Sequence, residues 1–416
     1  MDFAYRNGAL HAEQVPLEEI ARRFGTPCYV YSRTAIERHY GEFVRAFGTR
    51  DAMVAYSVKA NSNLAVLSLL ARLGAGFDVV SGGELARVLA AGGDARQTLF
   101  SGVGKTEDEI AQAIEAGVLC LNLESEAELL RVAAIAARMR KRAPVALRVN
   151  PDVDAKTHPY ISTGLKQNKF GVAYGEAERL YRDAARLPQL EVVGIGCHIG
   201  SLMSGAGPFV DAAARLLALA QRLEAGGIRL AHIDLGGGFG IRYRDESPAP
   251  IGEFLDGALG VLTGRKEKLI VDPGRAIVGN AGVLLTRVEY VKPSVEKSFL
   301  VVDAAMNDLI RPALYGAWHE VLPVRQAEGA AVEAVYDIVG PVCESADFLA
   351  KDRRLAARPG DLLAVMSAGA YAMVMSSNYN TRPRAAEVLV DGDRAHLARK
   401  RERAAELYTG ESVLPW

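Results

Sequence analysis

The sequence predicts an α/β fold: a (β/α)8 barrel of the TIM type followed by a second, mostly β, barrel-like antiparallel domain. Three observations predict it. Between residues 51 and 274, eight short apolar runs alternate with segments of helical periodicity, matching a closed barrel in count and in a span of ~225 residues. The runs are apolar throughout instead of alternating, as strands covered on both faces are. After residue 279 the rhythm changes to strand-like runs broken by proline, glycine and charged turns.

The barrel strands are expected at 53–58, 77–80, 98–101, 119–123, 145–150, 192–198, 231–235 and 269–272. Amphipathic helices are expected at 64–73, 84–91, 108–116, 126–137, 176–186, 212–224 and 253–262. Thr106 with Glu109, and Ser125 with Glu128, have capping-box spacing. Further strands are expected at 283–291, 299–302, 332–339, 362–366 and 386–390, paired mainly antiparallel, with one long helix at 395–407. The strand-like run Pro27-Cys28-Tyr29-Val30-Tyr31 suits that second domain. The expected division is 33–278 for the barrel, and 1–32 with 279–416 for the β-rich domain. An open doubly wound sheet is the rival architecture.

Half of the 416 residues are hydrophobic, which excludes a mainly disordered chain. Lys plus Arg number 49 against 50 for Asp plus Glu, a net charge of -1, so neither nucleic acid nor an anionic membrane is an expected partner. Cys28, Cys120, Cys197 and Cys343 show no CxxC spacing, which points to a reducing compartment. No basic start with an apolar run behind it marks a secretory signal, and no apolar stretch approaches ~18 residues. A soluble, cytoplasmic protein is expected.

In a barrel, chemistry sits at the C-terminal ends of the strands. There the sequence places Lys59, Asp78, His198, the run Gly236-Gly237-Gly238-Phe239-Gly240, and Asp272-Pro273-Gly274-Arg275. Lys59 alone reads as a strand-end side chain reaching solvent; in this company it reads as an amine able to form a Schiff base. The glycine run suits a phosphate held by backbone N–H groups, or only a turn. His198 is either a core histidine or a ring lying over a flat cofactor. No metal site is expected, because the seven histidines form no ligand-spaced group. Asp272 either caps a turn or holds a pyridine nitrogen protonated. Gly102-Val103-Gly104-Lys105-Thr106 imitates a P-loop, but Leu99 stands where the first glycine is required. In the second domain Arg311 offers a planar fork for a carboxylate, with Tyr315 close in sequence.

These residues stand in an order that resembles the pyridoxal-phosphate decarboxylases of the alanine-racemase-like fold: Tyr56-Ser57-Val58-Lys59-Ala60-Asn61, His198-Ile199-Gly200-Ser201, Gly236 to Gly238, Asp272 to Arg275, Cys343-Glu344-Ser345-Ala346-Asp347 and Ala368-Gly369-Ala370-Tyr371. Asn168-Lys169-Phe170-Gly171-Val172, the stretch from Met306 to Tyr315 and Cys343-Glu344-Ser345 resemble the diaminopimelate-specific branch. The resemblance spans nearly the whole chain. It implies pyridoxal 5'-phosphate as cofactor, joined to Lys59, with His198 stacked on its ring. Gly236, Gly237, Gly238, Gly274, Arg275 and Tyr371 would hold its phosphate end, and Asp78, Ser201 and Asp272 would complete the cofactor contacts. Arg275, Arg311, Tyr315 and Tyr371 would bind meso-diaminopimelate, and Glu344 its distal amine. Cys343 would give the proton at the reacting carbon. The resemblance also implies a homodimer with shared sites, and decarboxylation to L-lysine as the last step of lysine biosynthesis.

Two departures are visible. The family usually has glutamate at the position of Asp272, which shortens the reach by ~1.3 Å. Ser201 is followed by Leu202-Met203 where glutamine is more frequent. Decarboxylation of ornithine, lysine or arginine, or a catalytically silent cofactor-binding protein, are the alternatives; Arg311 and Tyr315 favour a substrate with a second carboxylate.

Overall fold

The computed structural model describes residues 2–153, 169–293, 295–326 and 333–416. Asn168 of the motif quoted above, and Val332 at the start of an expected strand, lie outside the described residues. The chain divides into two compact units: residues 38–241 with 246–276, and residues 1–37 with 242–245 and 277–416.

The first unit is the expected barrel. Its strands are β1 (Ala52–Ser57), β2 (Gly76–Val79), β3 (Thr98–Phe100), β4 (Cys120–Leu123), β5 (Ala143–Asn150), β6 (Leu190–Gly196), β7 (His232–Asp234) and β8 (Lys268–Val271). Each pairs in parallel with the next, and β8 returns to β1 through Leu269 opposite Ala52, so no edge remains. Closure excludes the open-sheet rival. Small and branched side chains, among them Ala55, Leu99, Cys120, Ala146 and Ile270, pack as a buried cluster. The register of β6 slips between Val192 and Gly194. A Cβ on Gly194 would lie 2.0 Å from His232 Nε2, so glycine there makes room for a buried imidazole.

One of the two expected capping boxes forms in full. Thr106 accepts the Glu109 N–H, and Glu109 reaches back to the Thr106 N–H. At Ser125 the hydroxyl accepts from Glu128 N–H, but the Glu128 carboxylate accepts from Glu124 N–H and from Lys105 Nζ instead. Lys105 is the competitor: its ammonium is buried and donates to the Gly102 and Asn122 carbonyls at 2.7 and 2.6 Å and to Glu128 at 2.8 Å. The lysine of the P-loop imitation is a structural bolt between barrel loops.

The second unit is a mixed sheet in the order Phe348–Leu355, Ala334–Val339, Ser298–Val302, Gly282–Lys292, Cys28–Ser32, Ala386–Asp391, Arg394–Arg399, with Leu362–Val365 between Gly282–Lys292 and Val321–Pro323. Most pairs are antiparallel; Cys28–Ser32 with Ala386–Asp391, and Ser298–Val302 with Ala334–Val339, are parallel. Cys28, Val30, Val283, Leu285, Val388 and Val390 form its core. The helix expected at 395–407 is absent: Arg394–Arg399 is a strand folded back on Ala386–Asp391, and only the single turn Ala404–Glu406 is helical. Gly392, at φ 61°, makes that reversal, and the hairpin satisfies the backbone groups that a helix would have paired. The helices Leu17–Phe24 and Arg33–Phe47 were not anticipated. Among the described residues no helix is long and apolar enough to cross a membrane.

Candidate active site

The barrel gathers the candidate side chains at the strand C-termini. Lys59 lies in the one-turn 3-10 helix Val58–Ala60, two residues beyond the end of β1. That turn is pressed against the segment after β8: a Cβ on Gly274 would come 2.8 Å from Ala60 Cβ and 3.0 Å from Ser57 Cβ. Lys59 Nζ stands 3.5 Å from Asp78 Oδ2, with Lys59 about one-third exposed (36%) and the Asp78 side chain 1% exposed. Asp78 also accepts from Ser101 Oγ at 2.6 Å and Ser57 Oγ at 3.3 Å. Burial raises the Asp78 pKa, while the Lys59 ammonium pulls the other way. A carboxylate this enclosed orients the amine, which stays partly exposed.

The glycine run after β7 is held by Phe239, which packs within 5.0 to 5.3 Å of Phe43, Phe209 and Phe254. Gly236 and Gly238 have φ of 78° and 92°, and a Cβ on Gly237 would meet the Asp272 carbonyl at 2.4 Å. Only glycine permits this approach of backbone to backbone. Gly237 N–H donates to His198 Nδ1 at 3.3 Å, and the same nitrogen lies 3.5 Å from Asp272 Oδ1. Ser201 accepts from Arg275 Nη2 at 3.4 Å.

One small cavity is lined by Lys59, Asp78, His198 and Asp272. Sequence reasoning assigned no role to four more of its lining side chains: Ser101, Asn122, Arg148 and Asp234. The signal was a polar residue inside an otherwise apolar strand, as in Cys120-Leu121-Asn122-Leu123 and His232-Ile233-Asp234. Burial first, and then neighbouring Asp272, hold Asp234 well above the carboxylate range.

Glu84 brings a pH dependence to this end of the barrel. It accepts the Val80 N–H at 2.7 Å, and burial pushes its carboxyl up to about 7. Its folded pKa exceeds the unfolded one, so the stability it contributes is complete below the unfolded value and is lost as pH rises through about 7. Glu84→Gln is expected to gain on the parent by on the order of 1–3 kcal/mol between about pH 5 and about pH 8, read by urea unfolding. An equal difference at both pH values would remove this account.

The other expected residues belong to the second unit. Arg311 opens the short helix Arg311–Tyr315 and is buried. Tyr315 is half-buried, while Cys343 and Glu344 are exposed. Cys343 N–H donates to Asn380 Oδ1 at 2.9 Å. Asp347 accepts from Met306 N–H and Val342 N–H, tying the cysteine loop to the segment that leads to Arg311. Tyr371 has a left-handed backbone, φ 53°, an uncommon state for a tyrosine that its loop has to enforce.

A closed parallel barrel that turns a lysine toward a buried carboxylate, beside a glycine cradle, is the framework of the pyridoxal-binding decarboxylases. The family model described as "Pyridoxal-dependent decarboxylase, pyridoxal binding domain" matches residues 33–279. The diaminopimelate decarboxylase of Pseudomonas aeruginosa is 60% identical over 413 residues, covering 99% of each chain, and that of Vibrio cholerae is 55% identical, covering 98% of each. The crystal structure of the Helicobacter pylori diaminopimelate decarboxylase complexed with L-lysine superimposes with a TM-score of 0.92 at 41% identity, over 95% of this chain and 99% of that one. This chain belongs to the diaminopimelate decarboxylase family.

The barrel residues fit pyridoxal 5'-phosphate. Among the described residues Asp272 Oδ1 is buried without a hydrogen-bond partner, an acceptor suited to a protonated ring nitrogen in spite of the shorter side chain. Orphaned buried acceptors are costly, and a ring N–H would relieve this one.

Proposed function

We propose that this protein removes carbon dioxide from meso-diaminopimelate and leaves L-lysine, the closing step of lysine biosynthesis, with pyridoxal 5'-phosphate as cofactor. The observation that carries the reading is the end-to-end match at 60% identity to a diaminopimelate decarboxylase, together with Lys59 facing Asp78 in the barrel cavity.

When bound, the cofactor supplies a sink for the electron pair left behind by the departing carboxyl group. The chain supplies binding, orientation and protons. Lys59 Nζ would hold the cofactor covalently, and Asp272 would keep a proton on its ring nitrogen. His198 would cover the ring face. The Gly236, Gly237 and Gly238 run and the Gly274-Arg275 backbone, with the Ser201 and Tyr371 hydroxyls, would hold the phosphate end. Arg275, Arg311 and Tyr315 would take the distal carboxylate, with Tyr371 beside it, and Glu344 the distal amine. Cys343 Sγ would deliver the proton to the carbon that has lost its carboxyl. Residues 33–278 would thus form the cofactor domain, with 1–32 and 279–416 contributing the substrate and interface residues.

A homodimer with shared sites is part of the proposal. Cys343 and Glu344 are exposed in a single chain, and so are the apolar side chains of Leu314, Val374 and Tyr379 in the same unit; a second copy would cover them. The four free cysteines suit a cytoplasmic location.

Carbon dioxide release from meso-diaminopimelate is expected, with little from ornithine, lysine or arginine; equal release from any of these would overturn the substrate assignment. Mixing Lys59→Ala with Cys343→Ala protein is expected to restore about one-quarter of parental activity, since random pairing of two variants makes half the dimers hybrid with one intact site of two. No recovery after proven subunit exchange would rule out sites built from both chains.

A further inference from the structure

We propose that His319, a residue outside every motif considered above, positions the Arg311 guanidinium as a neutral acceptor. This rests on the reading that Arg311 binds the distal carboxylate. His319 is fully buried (0% exposed), and each of its ring nitrogens has a partner of fixed polarity. Nδ1 lies 2.8 Å from the Met366 carbonyl, which can only accept, so Nδ1 carries the hydrogen. Nε2 lies 2.8 Å from Arg311 Nη1, which can only donate, so Nε2 offers a lone pair. The two contacts together require the uncharged ring in one tautomer. A protonated ring would present an N–H and a like charge to the guanidinium.

The ring is packed as well as hydrogen-bonded. It stands edge-on to Tyr243, with centroids 5.4 Å apart at 81°, and the Arg311 guanidinium lies 4.6 Å from the centroid of the same tyrosine. From the backbone side, Arg353 Nη2 donates to the His319 carbonyl at 3.1 Å. Arg353 is in turn packed on the Trp318 ring. Backbone, ring plane and both nitrogens of His319 are therefore set, and with them the direction of Arg311 Nη1.

The choice of imidazole has a chemical consequence. A carboxylate in this place would hold the fork equally well but would neutralise it, and the substrate carboxylate would have to compete for it. A neutral acceptor aligns the guanidinium without itself neutralising it. His319 is thus a positioning residue for recognition of a second carboxylate.

The test uses the holoenzyme and four variants: His319→Phe, which keeps a ring but loses the acceptor; His319→Gln, which keeps a neutral acceptor; His319→Glu, which supplies a competing anion; and Arg311→Ala. One carboxylate of the substrate leaves as carbon dioxide and the other stays in L-lysine, so product inhibition reports the same contact. Inhibition by 1,5-diaminopentane, which has no carboxylate, is the control.

His319→Phe and His319→Glu are expected to raise KM for meso-diaminopimelate and Ki for L-lysine about ten-fold or more, with kcat changed less and Ki for 1,5-diaminopentane unmoved; His319→Gln is expected to recover most of the loss. The visible absorbance of the bound cofactor should be unchanged throughout. The positioning role is overturned if Arg311→Ala raises KM and the L-lysine Ki but His319→Phe does not, or if diaminopentane weakens in parallel with L-lysine. If His319→Phe does not fold, the contrast between His319→Gln and His319→Glu decides alone, and equal constants for that pair overturn the proposal. Unchanged constants in Arg311→Ala would bring down the carboxylate reading of the site itself.

Discussion

Lys59→Ala is expected to release no measurable carbon dioxide and to hold no cofactor through a covalent bond. Borohydride treatment should fix the cofactor on the parent and fail on the variant, and the absorbance of the bound form should disappear. The expected loss is on the order of 10⁴-fold or more in kcat, the scale seen when a covalent catalytic group is deleted. The physical ground is local. The Lys59 turn is locked by the close approach of Gly274 to Ala60 and Ser57, and Ser57 N–H and Oγ donate to the Pro273 and Asp272 carbonyls at 3.1 and 3.0 Å. Among the described residues no other amine lines the cavity with Lys59. A borohydride-stable adduct on the variant at the parental level would end the assignment.

Lys105→Ala has the largest expected effect on stability. Three acceptors converge on this buried ammonium, and the Glu128 partner is itself only 9% exposed. Removing one member of such a pair leaves an uncompensated buried charge and costs about 3–5 kcal/mol. The double variant Lys105→Met with Glu128→Gln is expected to recover part of that loss, because no charge is left behind. Urea unfolding of parent, single and double variants is the measurement. A single-variant loss below about 1 kcal/mol would show the pair to be well solvated.

The barrel was legible because its signal is local and repeated. Each strand run carries its own apolar continuity, and each helix its own periodicity, so eight copies reinforce one another. Lys59, Asp78, His198 and Asp272 were legible because each falls where a barrel strand ends, and that position follows from counting along the chain. The departure at Asp272 was legible as well; its consequence, a buried oxygen with no hydrogen bond among the described residues, was not. The error at 395–407 has a physical cause. Ala395, Ala398, Ala404 and Ala405 give a helix-compatible pattern, but Asp391-Gly392-Asp393 is a reversal signal. The hairpin prevails because Ala386–Asp391 is already held by Cys28–Ser32, more than 350 residues away in sequence. Pairing over that distance leaves no mark in a local pattern.

The amino-acid order by itself determined the alternation of strand and helix, the rim positions of the amine, the imidazole, the glycines and the acid, and the motif order that places the chain in its family. These depend on the apolar continuity of each strand run, on the 3.6-residue period of each helix and on turn chemistry, which act over short stretches. Tertiary structure alone decided that Glu128 turns from its cap to Lys105, that Asn122, Arg148 and Asp234 share the cavity with Lys59, and that His319 accepts from Arg311. Each of these sets donors and acceptors from distant segments against one another in a space closed to water. There a polar group must take the partner that packing leaves within reach.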